Sequence, residues 1–176
     1  MIICMEIIQK VYQMFILGCK GNNLESALNK GLGGVIFFKD DIQSKEDFKN
    51  LIKNLSYHAK TMPFFSIDQE GGRVERTENI WGRKKYLSAK FAYEKGLNFL
   101  ANQTQAIAQE LKDYGINLNY APCCDVNTNP ENPIIGERAF SNNPNEVIEG
   151  AKTVIETYRK NGIISCIKHY PGHGGA

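Results

Sequence analysis

Short apolar runs alternate along the chain with longer segments whose apolar positions recur at helical spacing. The runs are "QMFILG" (13–18), "GGVIFF" (33–38), "PFFSID" (63–68), "INLNYAP" (116–122) and "ISCIKH" (164–169). "GGVIFF" and "PFFSID" are apolar on both faces, the pattern of parallel strands covered on each side. "INLNYAP" alternates more and stops at Pro122.

The segments between them carry helix signals. Ser44 is a predicted N-cap with Asp47 three residues on, followed by the stripe Phe48, Leu51, Ile52 and Leu55. Ser88 opens the next helix, whose face runs through Leu97, Leu100, Ala101, Thr104, Ile107, Ala108 and Leu111, with Gly115 past its end. Asn143 and Pro144, cap then proline at the first helical position, start the last helix. Its stripe is Val147, Ala151, Val154, Ile155 and Tyr158, and Gly162 closes it. A shorter helix over 24–30 follows the first strand.

The resulting order, β-α-β-α-β-α-β-α-β, predicts an α/β fold with five parallel strands joined by right-handed crossovers. Two architectures fit: an open doubly wound sheet, or part of a (β/α)8 barrel. A nucleotide-binding open sheet calls for a glycine-rich phosphate turn after a strand, and the chain has neither GxGxxG nor a P-loop. "GLGG" (31–34) precedes its strand and so sits on the wrong side. No linker, low-complexity stretch or short repeat divides the chain.

Composition narrows the function classes. Hydrophobic residues make 42% and charged residues 23% of the chain, ordinary for a globular protein. The net charge of +2, without a basic run interleaved with aromatics, argues against nucleic acid as a partner. No stretch reaches the roughly 20 apolar residues of a transmembrane helix. The five cysteines are Cys4, Cys19, Cys123, Cys124 and Cys166. An odd number without CxxC fits neither a disulfide framework nor a zinc ribbon, so reduced, mostly buried thiols in a reducing compartment are expected. "FILGC" (15–19) has the look of a lipoprotein box, with Cys19 as the lipidated residue. Against it, Glu6 offsets Lys10 and Gln13 interrupts the apolar run. The expected location is cytoplasmic, with 13–18 a core strand; a lipid anchor through Cys19 is the alternative.

Chemistry collects just after strand ends. "DQEGGRVER" follows the third strand, "CCDVNTNPENPIIGER" the fourth and "KHYPGHGG" the fifth. In a (β/α)8 barrel these loops share the C-terminal rim, where active sites sit. The candidates are Asp68, Arg76, Arg138, Lys168 and His169. A phosphate site would omit Asp68, and a metal site would need more carboxylates or histidines. Carboxylate, guanidinium and ammonium together suit neutral polyols, because a hydroxyl both donates and accepts.

Plainer readings stand beside these. Asp68 can pair with Arg73 or Arg76 on the surface, and Arg138 can brace a loop. His169 and His173 have the spacing of zinc ligands on a helix, but Pro171 and Gly172 forbid a helix there. No metal is therefore expected, and His173 reads as part of a structural turn. His58 reads as a surface residue at a helix end.

"IDQEGGRVER" (67–76), "GINLNYAPCCDVNTNP" (115–130), "IGERAF" (135–140) and "KHYPGHG" (168–174) resemble glycoside hydrolase family three. The form of the last motif is most similar to the family's bacterial β-N-acetylglucosaminidase branch, which serves peptidoglycan recycling. The resemblance covers nearly all of the chain and implies a (β/α)8 barrel and no cofactor. It places Asp68 on the terminal sugar's outer hydroxyls, with Arg76, Arg138, Lys168 and His169 in the same N-acetylglucosamine-binding site. It leaves His173 as loop structure. Tyr170 stands where phenylalanine is commoner.

The branch's catalytic acid/base is a histidine shortly after the last motif, and its nucleophile is an aspartate after a later strand. Both are expected beyond Ala176. Residues 1–176 then form the N-terminal part of one catalytic barrel domain, ending before the catalytic loop, since such a barrel needs about 250 residues. The implied reaction is retaining hydrolysis of terminal β-N-acetylglucosamine, with this piece alone inactive and completed by the rest of the barrel. A β-glucosidase of the same family and a non-catalytic sugar-binding piece are the alternatives.

Overall fold

The computed structural model describes residues 7–21 and 23–175. Cys4, Glu6 and Ala176 lie outside the described residues. Five parallel strands form one sheet: β1 (Ile16–Gly18), β2 (Gly34–Phe37), β3 (Phe64–Ile67), β4 (Leu118–Asn119) and β5 (Ile164–Ser165). All five lie inside the apolar runs. Their spatial order is their chain order, β1-β2-β3-β4-β5. A doubly wound sheet reverses order at a switch point, so the sequential order selects the barrel-type architecture.

Among the described residues seven α-helices accompany the strands: α1 (Ile7–Tyr12), α2 (Leu24–Asn29), α3 (Lys45–His58), α4 (Glu78–Trp81), α5 (Ala89–Glu94), α6 (Leu97–Tyr114) and α7 (Pro144–Lys160). The cap signals explain their starts. Ser44 Oγ accepts from the Asp47 backbone N–H at 3.1 Å, and Asn143 Oδ1 accepts from that of Asn145 at 3.0 Å. Gly115 ends α6 at φ +95°, a left-handed conformation that favours glycine. The helix expected from Ser88 onward is broken in two at Gly96, where φ is +97°. Ser88 sits at the N-cap position of α5 but makes no side-chain cap bond, and Leu97 falls on the exposed side of α6.

The register divides the sheet into two faces. Val35 pairs with Phe65, and Phe37 with Ile67, and these side chains pack under the helices. Phe37 meets Phe48 of α3 edge-on at 5.1 Å, and Phe48 meets Tyr114 of α6 at 5.6 Å. Ile36, Ser66, Leu118 and Ile164 line up on the opposite face. Period-two alternation carries that face past the strand ends to Asp68, Tyr120 and Lys168, so the pleat itself aims these groups.

Two expectations change at the sheet edges. The 13–18 run is not a core strand: β1 is an edge strand, with Ile16 and Leu17 exposed. At the other edge Ile164 and Ile167 are exposed. The thiols are not mostly buried either: Cys123 is, Cys19 and Cys124 are half-buried, and Cys166 is exposed. An edge strand lacks a neighbour on one side, so its apolar side chains are covered on one side only. Among the described residues no helix is long and apolar enough to cross a membrane.

Phe48 is the hinge pin of the aromatic cluster, 1% exposed between β2 and α6. Phe48→Ala should lower stability by about 3–5 kcal/mol, read from urea unfolding, while Tyr57→Ala on the exposed side of α3 should stay within about 0.5 kcal/mol of wild type.

Candidate sugar-binding site

The loop after β3 is held by a buried amide. Gln69 is 1% exposed, and its Oε1 accepts from the Arg76 backbone N–H at 2.8 Å. Its Nε2 donates to Thr77 Oγ1 at 3.1 Å. Its own backbone is clamped by Asn119 of β4, which accepts from Gln69 N–H and donates to Gln69 C=O, both at 2.9 Å. One strand end therefore fixes the loop of its neighbour, and with it Asp68 and Arg76.

Glu70 lies at the centre. Its side chain is 5% exposed and accepts two hydrogen bonds from Arg138, Nε at 2.9 Å and Nη2 at 2.8 Å. Lys168 Nζ stands 2.5 Å from Glu70 Oε1 and 2.5 Å from Asp68 Oδ1. Burial opposes ionisation of Glu70, yet Arg138 and Lys168 outweigh it and hold the carboxyl below its usual range. The bidentate guanidinium geometry is the strong form of this interaction.

Asp125, with its side chain fully buried, organises the last loop. Its Oδ2 lies 2.5 Å from His169 Nδ1 and accepts from Cys123 Sγ at 3.1 Å, while its Oδ1 accepts from His173 N–H at 2.6 Å. The His173 carbonyl accepts from Asn132 Nδ2 at 2.7 Å. His173 is thus gripped through its backbone. Gly174 passes so close to the Val126 carbonyl that any Cβ would collide with it.

Asp68, Arg76, Arg138, Lys168 and His169 all border one open cleft of about 380 Å³, floored by Ile36 and Tyr120. Asp68 pairs with Lys168 and with neither Arg73 nor Arg76; Arg73 instead donates to the carbonyls of Pro133, at 2.5 Å, and Ile134. Arg138 does brace a loop, through Ile134 C=O at 3.0 Å, and also faces the cleft. Arg76 makes no ion pair among the described residues, and its Nε is buried without a partner. Three carboxylates (Asp68, Glu70, Asp125) stand against three fixed cations (Arg76, Arg138, Lys168), so the site as a whole is close to neutral. Glu70 and Asp125 behind the wall offset the cations that line it, and the mixed donors and acceptors that remain suit hydroxyl groups.

Sequence reasoning missed Glu70, Asp125, Asn119 and Asn132. Glu70 had a signal, since it shares strand parity with Asp68. Asp125 had none beyond being a charge amid "APCCDV".

Cys123, Asp125 and His169 place three potential metal donors within 4.8 Å of one another, the one such group among the described residues. It differs from the His169–His173 pair that spacing alone suggested. Its donors already bond to each other, and burial pushes the Cys123 thiol up to about 12, so it acts as a thiol donor to Asp125. A larger cleft of about 720 Å³ lies between α5, the 127–142 loop and α7. Its acids are engaged, Glu149 by Tyr93 and Glu146 by Ser141, and no strand end reaches it. Chemistry favours the smaller cleft.

In a (β/α)8 barrel the C-terminal strand ends, where this cleft lies, are where an active site sits. The chain belongs to glycosyl hydrolase family 3, whose N-terminal domain model matches residues 6–176. "Beta-hexosaminidase A" of Pseudoalteromonas piscicida is 36% identical over 151 residues, which cover 81% of this chain and 25% of that protein. The beta-hexosaminidase of Photobacterium profundum is 31% identical, over 82% of this chain and 42% of its own length. The family 3 β-N-acetylglucosaminidase of a Paenibacillus species superimposes with a TM-score of 0.88 at 28% identity, over 97% of this chain and 34% of that one. NagZ of Neisseria gonorrhoeae, solved with N-trifluoroacetyl-D-glucosamine, gives 0.80 at 26% identity over 90% of this chain and 51% of that one. The chain thus spans a quarter to about half the length of its relatives.

Glu70→Gln should cost about 3 kcal/mol at pH 7, because two part-buried cations lose their shared counter-charge. A carboxyl held below its usual value contributes stability that is present above the unfolded value near 4.5 and lost as pH falls through the folded one. Urea unfolding at several pH values should therefore show the gap between wild type and variant closing below about 4.5. A constant gap down to low pH would contradict the ion-cluster account.

Proposed function

We propose that this chain supplies the terminal-sugar site of a β-N-acetylhexosaminidase, whose complete protein removes non-reducing β-N-acetylglucosamine by retaining hydrolysis. The observation that carries the reading is the convergence of Asp68, Arg76, Arg138, Lys168 and His169, from three strand ends, on one cleft. In this reading Asp68 accepts from one outer hydroxyl and Lys168 donates to its neighbour. Arg76 borders the same cleft and makes no ion pair among the described residues, which leaves its guanidinium charge available to the sugar. The hexosaminidase relatives and the glucosamine derivative bound by the Neisseria protein support the sugar class.

Retaining hydrolysis also needs a proton donor and a nucleophile. Glu70 and Asp125 are poor donors, since buried ion pairs and hydrogen bonds hold both below the usual carboxylate range. Lys168 occupies Asp68. The resemblance of the motifs to family three places the acid/base and the nucleophile outside these 176 residues, and this reading adopts that placement. The apolar edges at β1 and β5 are the faces that further barrel strands would cover. The cleft's contribution to rate is orientation and binding energy shared with the transition state.

Calorimetric titration with N-acetylglucosamine should show saturable binding by the chain, abolished by Asp68→Ala. A chromogenic N-acetylglucosaminide should remain uncleaved. Equal affinity in wild type and variant would overturn the site, and Asp68-dependent turnover would overturn the assignment of the catalytic groups elsewhere.

A further inference from the structure

The ring of His169 is addressed from both sides, and the two contacts agree. On one side Nδ1 lies 2.5 Å from Asp125 Oδ2. On the other, Nε2 lies 3.2 Å from Arg138 Nη2. A guanidinium can only donate, so Nε2 must present its lone pair and the ring proton must sit on Nδ1, facing the carboxylate. Asp125 has no alternative use. Its side chain is fully buried, out of reach of any ligand in the cleft. Its remaining contacts, from Cys123 Sγ and the His173 backbone N–H, are donors as well.

We propose that Asp125 is a positioning residue that fixes His169 as the Nδ1–H tautomer, so that Nε2 keeps its lone pair for Arg138 Nη2 and holds that guanidinium at the cleft. The same carboxylate holds the loop through His173 N–H, so ring orientation and loop position are set together. An analogous buried carboxylate sets the tautomer of the histidine in serine-protease triads, where the amide replacement preserves geometry and gives the wrong tautomer. The consequence for ligand binding rests on the sugar-site reading; the tautomer itself does not.

The test is side-chain ¹⁵N NMR of the imidazoles. The chain has only three histidines, and His169→Gln identifies the signal of that ring. Wild type should show the proton on Nδ1 and a bare Nε2. In Asp125→Asn the amide oxygen must still face His173 N–H, which turns the NH2 toward His169 Nδ1. The ring proton should then move to Nε2, opposing Arg138, and affinity for N-acetylglucosamine should fall by about tenfold, the scale of one lost buried hydrogen bond. A wild-type ring protonated on Nε2, or an Asp125→Asn ring unchanged from wild type, would overturn the proposal. The wild-type spectrum decides the matter even if the variant fails to fold. Sugar binding that is absent in wild type would count against the sugar site and leave the ring measurement standing.

Discussion

One buried carboxylate holds the site together. Glu70, reached from the end of β3, binds Arg138 from the loop after β4 and Lys168 from the end of β5. Those three segments are far apart in sequence and meet only because the sheet is parallel and sequentially ordered. A charge this buried persists only when it is paired and hydrogen-bonded. The requirement runs in both directions: the cations keep Glu70 ionised, and Glu70 keeps two long, flexible side chains in one arrangement. The cleft is preorganised to that extent before any ligand arrives.

Around this centre the work divides by depth. Gln69, Asn119 and Asp125 are buried, touch other protein groups and fix loops. Asp68, Arg76, Lys168 and His169 stand in front of them and border open space. Buried groups that satisfy one another cost little, and they leave the groups in front free to meet a ligand. This layering is why the smaller cleft, and not the larger one beside α7, reads as the binding site.

Much of the fold was legible in sequence, for local reasons. Apolar runs marked all five strands, and Ser44, Gly115 and Asn143–Pro144 marked helix ends, because caps and pleats are decided by neighbours in the chain. Gly96 was not legible as a break, since a single glycine inside a helical stripe leaves the periodicity intact. The exposure of β1 was hidden for another reason: an edge strand and a central strand can share one composition, and only the sheet order tells them apart. Within the site, the five candidates stood out as charges after strand ends. Asp68 could not be paired correctly from sequence, because its partner Lys168 lies a hundred residues away. Glu70 and Asp125 were passed over because a buried carboxylate and an exposed one look alike in a string of letters.

The central claim is that the terminal sugar sits at the C-terminal ends of β3, β4 and β5. Amide chemical-shift mapping during titration with N-acetylglucosamine tests it most directly. The account predicts shifts concentrated in residues 68–76, 136–138 and 168–173. Shifts confined to the larger cleft between α5 and α7, with the strand-end loops silent, would contradict it.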